Sequence, residues 1–164
     1  SAIRAARLDR RIMKTMAQPA DKAEIVRRLK QVRPDCTRRW GRMSAHQMVC
    51  HLSDAFRLVT QEKPASPATG FVQSTVIKWF PLYVPFRWPP GYPTRPEMDQ
   101  EVGGTTPGDF AADLAALESL LEVVTTAPKN FAWPAHPIFG PMSESAWMRW
   151  AYLHVDHHLR QFGL

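Results

Sequence analysis

Prolines cut this chain at Pro34, Pro64, Pro128 and Pro141, and the stretches between the cuts repeat their apolar residues at intervals of three and four. A proline ends a helix because its ring clashes with the preceding turn and it has no amide proton to donate. Apolar residues at that interval fall on one face of a helix. Together the two signals divide the sequence into four helices. The first runs from Ala20 to Val32, with Ile25, Leu29 and Val32 on one side and Pro34 closing it. The second begins at Ser44, where Ser44 and Gln47 match a capping box, turns Met48, Leu52, Ala55 and Val59 inward, and stops before Pro64. The third opens at Thr106 and Pro107, an N-cap followed by proline at the first helical position, and repeats Phe110, Leu114, Leu117, Leu121 and Val124. The fourth follows Pro141 with Ser143 as N-cap and Glu144 in its first turn, and runs to about Phe162.

Strand patterning is scarce, so the expected fold is all-α: an antiparallel four-helix bundle over residues 20–164, preceded by a weakly amphipathic basic arm over residues 1–19. Between the second and third helices lies Glu62 to Thr105, far longer than a usual connection. Thr75 to Phe80 (TVIKWF) predicts a short apolar helix inside it, and the rest is dense in proline and aromatic residues. Two readings stand for this crossover: an apolar strap packed over the bundle, or a lid that walls a pocket.

Composition narrows the function classes. With 45% hydrophobic and 22% charged residues, a chain of 164 residues buries a core without disulfides. No run reaches the roughly 20 apolar residues of a membrane span, so no membrane partner is expected. Cys36 and Cys50 form no CxxC, which makes a reducing cytoplasm the expected location and leaves open whether the two pair. The net charge of +6 comes largely from arginines and lysines before residue 43. They are not interleaved with aromatics and match no helix-turn-helix or RNA-binding pattern, so a solvated basic face is expected and nucleic acid is not.

The chemistry concentrates near the end, in HVDHHLRQFG (His154–Gly163). The inward stripe of the fourth helix contains Trp147, Ala151, His154, His158 and Gln161, so two imidazoles stand one turn apart on the core-facing side. Buried imidazoles cost free energy unless their nitrogens are satisfied, and one divalent ion satisfies both. The metalloprotease pattern is excluded, because Val155 stands where that chemistry needs a glutamate. His51, in the middle of the second helix, is the candidate third ligand, and three histidines leave a coordination position open. Core histidines satisfied without a metal are the alternative. His46 and His157 fall off the inward stripes and suit surface or supporting positions, and His136, in HPIFG, suits either one end of the site or a turn.

WGRMSAHQMVCHLSDAFRL (Trp40–Leu58), HPIFGPMSESAWMRWAYLHVDHHLRQFG (His136–Gly163) and WPPGYPTRPE (Trp88–Glu97) resemble the DinB-like (DinB/YfiT-like) metalloenzyme superfamily, in a branch filed as a domain of unknown function. The resemblance spans roughly Pro19 to the end. It implies a bundle in down-up-up-down order, which requires a long crossover between the second and third helices. It also implies a divalent metal, commonly nickel or zinc, held by His51, His154 and His158. Relatives include transferases that use a low-molecular-weight thiol, and hydrolase-like members.

The expected function is therefore a metal-dependent enzyme acting on a small molecule, first as a thiol-dependent transferase. The same site would serve a hydrolase, and a non-catalytic metal-binding protein of stress response is the rival. Trp88, Tyr92, His136 and Gln161 are candidates for the substrate pocket, and His136, Asp54 and Arg160 for catalytic work. Asp54, one turn after His51, would act as general base or orient a histidine. Arg160, with Arg87 and Arg95, would hold the carboxylates of the thiol. An exposed TVIKWFPLYVPFRW stretch would suit a homodimer surface.

Overall fold

The structure is a computed structural model that describes residues 13–67, 80–84, 87–91 and 94–164. Those residues form α-helices α1 (Pro19–Leu29), α2 (Ala45–Val59), α3 (Phe80–Tyr83), α4 (Phe110–Thr125) and α5 (Glu144–Gln161), with a 3-10 turn at Pro96–Met98. Among the described residues there is no strand, only one isolated bridge between His136 and Gly140. The regular structure of the described residues is all-helical.

Capping follows the sequence at two of the four long helices. Ser44 accepts from the Gln47 amide while the Gln47 side chain accepts from the Ser44 amide, the reciprocal box expected for α2. Ser143 caps α5 through the Ala146 amide. The start of α4 differs from expectation: Asp109, not Thr106, is the N-cap, and its carboxylate accepts from the Ala112 amide at 2.8 Å. Thr105 is held outside the helix by Asp54, and Pro107 precedes the cap instead of opening the first turn. At the end of α1 the last amides switch partners. Gln31 and Val32 bond to Arg28 and Leu29, three residues back, so the helix closes at Leu29 in a tight turn that still buries Val32.

One core joins these helices. Ile25 and Leu29 of α1, Met48, Leu52 and Phe56 of α2, Leu117 and Leu121 of α4, and Trp147 and Leu159 of α5 are all fully buried. In it α2 lies along α4, α1 lies along α5, and α2 and α5 meet along a third seam. Removing a side chain as large as Trp147 from such a core would cost about 3–5 kcal/mol.

The segment before α1 is docked where it is described. Met16 is buried, its amide donates to the Met148 carbonyl at 3.1 Å, and the Arg149 guanidinium donates to the Lys14 carbonyl. Arg149 also donates to the Leu82 carbonyl, fixing α3 against α5. Of the arm expected over residues 1–19, residues 13–18 therefore pack on the helices, and residues 1–12 lie outside the described residues. Of the predicted TVIKWF helix, residues 75–79 also lie outside them, and Phe80 opens the single turn of α3.

The described end of the crossover is clamped to α2. Asp54 is fully buried and accepts from the Thr105 amide at 2.7 Å, the Thr105 hydroxyl at 2.6 Å and the Gln100 amide at 3.2 Å, with Lys63 at 3.0 Å. The loop is also tied to itself, Gly103 to Pro96 and Gly104 to Asp99 through their backbones. This clamp sets the 3-10 turn on α2 beside His51.

Candidate metal centre

His51 projects from α2, and His154 and His158 project one turn apart from α5, into the seam between the two helices. One nitrogen from each lies within 4.8 Å of the others. The closest pair, His51 Nε2 and His154 Nε2, stands at 3.1 Å. Ring centroids are separated by 5.1 Å for His51–His154, 4.6 Å for His51–His158 and 5.0 Å for His154–His158. These three side chains are positioned to hold a metal ion. His51 and His158 are buried, while His154 keeps part of its surface open to solvent.

The outer nitrogens are assigned by their partners. His51 Nδ1 lies 2.9 Å from the Met98 carbonyl, which only accepts, so Nδ1 carries the proton and Nε2 presents its lone pair to the seam. His158 Nδ1 lies 3.0 Å from Gln161 Oε1. The Gln161 amide is itself oriented, because its Nε2 donates to the Trp40 carbonyl at 2.9 Å and leaves Oε1 to accept from His158. His158 therefore also turns its Nε2 lone pair inward.

That relay needs a glycine. Gly41 has φ +76°, and a Cβ there would stand 2.5 Å from Gln161 Nε2. Any side chain would push the amide off the Trp40 carbonyl. The WGRM and RQFG stretches of the sequence thus meet in space to orient one ligand.

Burial drives the electrostatics. It lowers the pKa of His51, which the Met98 hydrogen bond only partly offsets. His154 and His158 lie well below the usual histidine range, first through burial and then through the neighbouring imidazoles. Neutral imidazoles are what a divalent ion requires. The 3.1 Å contact of His51 and His154 needs one shared proton between two inward lone pairs, and a cation would displace that proton. The donor set fits a borderline metal such as zinc or nickel.

The other sequence candidates divide. His136 is buried, and its Nδ1 accepts from the Ile138 amide at 3.0 Å and the Phe139 amide at 3.2 Å. Its neutral ring must therefore carry its proton on Nε2, and burial pushes its pKa down to about 3. It packs on Trp150 at 5.1 Å between centroids, and Trp150 packs on His154 at 4.9 Å, so His136 stands one ring away from the trio. Trp88 lies 6.2 Å from His154 and donates its indole N–H to the Pro81 carbonyl. Tyr92 lies outside the described residues. Gln161 is buried, and its amide is committed to His158 and the Trp40 carbonyl.

Asp54 and Arg160 are likewise committed. Burial pushes the Asp54 pKa upward, but the amide and hydroxyl of Thr105 together with Lys63 outweigh it and hold the carboxyl below its ordinary value. Arg160 donates to Asp156 at 2.8 Å, and Asp156 also pairs with Arg28 at 2.8 Å. His157, off the predicted stripe, is buried rather than on the surface: α5 is covered on that side by Trp40 and Trp88, and His157 Nδ1 meets the Trp88 carbonyl at 3.2 Å.

A second group was not expected from sequence. His46 and Cys50 of α2 and Asp113 of α4 also bring ligand atoms within 4.8 Å of one another. Cys36 and Cys50 are both free thiols. Sequence reasoning also missed the Met98 and Trp40 carbonyls, since backbone atoms leave no side-chain signature; Gly41 was the one local hint of a close approach.

No curated protein and no solved structure is matched by the chain. A family model described as "Protein of unknown function (DUF1569)" matches residues 9–163, nearly the whole sequence, and the chain belongs to that family.

Proposed function

We propose that the protein is a metal-dependent transferase that joins a low-molecular-weight thiol to a small electrophile, with His51, His154 and His158 as the metal ligands. The observation that carries this reading is the convergence of three neutral imidazoles, two of them with their tautomer set by outside partners, on one position in the seam between α2 and α5. A divalent ion bound there supplies Lewis acidity that stabilises a thiolate at neutral pH. The sulfur attacks the electrophile, a carbon–sulfur bond forms, the leaving group departs with its electron pair, and the thiol proton passes to water.

The chain's own residues do the rest. Trp88 and Trp150 flank His154 and exclude water from the reacting atoms. His136, with Nδ1 occupied by two amides, offers Nε2–H as a donor to an acceptor atom of the electrophile. Arg87, exposed beside Trp88, suits a carboxylate of the thiol better than Arg160, which is spent on Asp156. A thiol reaction is favoured over hydrolysis by Asp54. Hydrolysis needs a general base beside the attacking water, and both oxygens of this carboxylate are taken by Thr105, Gln100 and Lys63.

The reading includes the helix order of the resemblance, an antiparallel four-helix bundle of DinB-like type, with the crossover as pocket wall. Its test is turnover of a chromogenic aryl halide by zinc- or nickel-loaded protein with glutathione, mycothiol, bacillithiol or cysteine, against ester and amide panels without thiol. Thiol-dependent turnover that disappears in His154→Ala is expected. Ester or amide turnover without thiol would replace the reading with the hydrolase, and stoichiometric metal with no turnover in either panel would leave a metal-binding protein.

A further inference from the structure

The seam of α2 and α5 is not the only place where ligand atoms gather. On the side of α2 that faces α4, His46 and Cys50 stand at positions i and i+4, and Asp113 reaches them from the first turn of α4. His46 Nε2 lies 2.7 Å from Asp113 Oδ2 and Cys50 Sγ lies 3.7 Å from the same oxygen. The arrangement repeats the plan of the histidine trio: two ligands one turn apart on one helix, and a third from the helix packed against it. We propose that His46, Cys50 and Asp113 form a second, separate site for a divalent transition-metal ion, with zinc the natural occupant.

The donor set points to that class of ion. Imidazole nitrogen, thiolate sulfur and carboxylate oxygen together are a zinc-type set, whereas magnesium and calcium take oxygen donors. Asp113 is a standing anion: it accepts from the Gly108 amide at 2.9 Å as well as from His46 and Cys50, which holds the carboxyl ionised. An ion would replace the His46–Asp113 hydrogen bond with two bonds to metal, and the Cys50 thiol proton would leave to water as the sulfur–metal bond forms. Access is open on one side, since His46 and Asp113 are partly exposed while Cys50 closes the inner side. Phe110, whose ring stands edge-on to His46 at 5.2 Å, supplies an apolar flank. A site with one anionic carboxylate, one thiolate and one neutral imidazole carries two negative charges and neutralises a divalent ion completely. The histidine trio carries none. Charge neutralisation thus suits the second site to holding its ion firmly, and the uncharged trio to leaving its ion more Lewis-acidic.

Cobalt(II) distinguishes the two sites, because only a thiolate ligand gives a sulfur-to-cobalt charge-transfer band in the near ultraviolet. Titration of the full-length apo protein under reducing conditions is expected to fill two equivalents, one of them with that band. Cys50→Ser and His46→Gln should each lose the band and one equivalent, while His154→Ala should keep the band and lose the other equivalent. His46→Gln is a partly exposed change, so it tests the site without disturbing the core. A wild-type protein that binds a single equivalent without the band would overturn the proposal. So would a band that survives Cys50→Ser and disappears in Cys36→Ser.

Discussion

Gln161→Met tests the orientation of the trio from outside it. Methionine keeps the length and apolar stem of glutamine, so the buried volume near Phe162 and Trp40 is largely retained. What it removes is the amide, and with it both the acceptor for His158 Nδ1 at 3.0 Å and the donor to the Trp40 carbonyl at 2.9 Å. His158 would no longer be held with its Nε2 lone pair inward. Loss of such an outer partner costs about 10–100-fold in metal affinity, or roughly 1.4–2.7 kcal/mol. Leaving the two buried groups unpaired would cost about 1–3 kcal/mol of stability apiece. Competition with a chromophoric chelator measures the affinity, and denaturant unfolding of the apo protein measures the stability separately. Gln161→Glu supplies the comparison, since a carboxylate still accepts from His158 while losing the donor to Trp40; its affinity should lie nearer that of the wild type. Apo stability that falls while the affinity of Gln161→Met stays within about twofold of wild type, against the tenfold scale above, would refute the relay and reduce Gln161 to a strut.

His51→Ala, His154→Ala and His158→Ala should each abolish metal binding at the trio, whereas His157→Ala should retain it, as elemental analysis of the purified variants would show. Chelation should leave helical circular dichroism intact at room temperature, because the core is built from apolar side chains of four helices, while rebinding raises the melting temperature by linkage. Asp54→Ala leaves the Thr105 amide and hydroxyl without their acceptor and should destabilise the fold by about 3–5 kcal/mol in urea unfolding. Because the folded pKa of Asp54 lies below its ordinary value, its contribution is present above the unfolded carboxylate range and is lost as pH falls through the folded value. The stability difference between wild type and Asp54→Asn should therefore shrink on acidification below the ordinary carboxylate pKa.

Side-chain periodicity made the helices and the trio legible. Ser44 with Gln47, Ser143 and the prolines marked most helix ends, and the four-residue step from His154 to His158 put both rings on one face. Periodicity failed where a tertiary contact competed with it. Thr106 and Pro107 looked like a helix start, but Asp54 pulls Thr105 into the clamp and Asp109 takes over the capping. Gln161 lay on the inward stripe and is buried there, but the commitment of its amide depends on the Trp40 carbonyl, which the stripe cannot show. His157 read as peripheral because an isolated helix has an outer face, whereas α5 is covered there by Trp40 and Trp88 from distant parts of the chain. The His46, Cys50 and Asp113 group was illegible for the same reason, its third member lying 63 residues beyond Cys50.

The packing explains why polar chemistry is tolerated where it is. α1 lies along α5 and α2 along α4, and both seams bury leucine, isoleucine, methionine and tryptophan, with His46, Cys50 and Asp113 beside them in the second. The α2–α5 seam is the one that carries three imidazoles, and an apo protein satisfies them by a shared proton and by Met98 and Gln161. Gathering three imidazoles in an otherwise apolar interior is a mismatch of polarity that costs free energy. The mismatch is affordable only because the other seams hold the helices in place without it. A core that depended on the α2–α5 seam for its cohesion would select apolar residues there. One that is already assembled leaves the seam to present ligands, and the clamp at Asp54 fixes the Met98 carbonyl that aims the first of them.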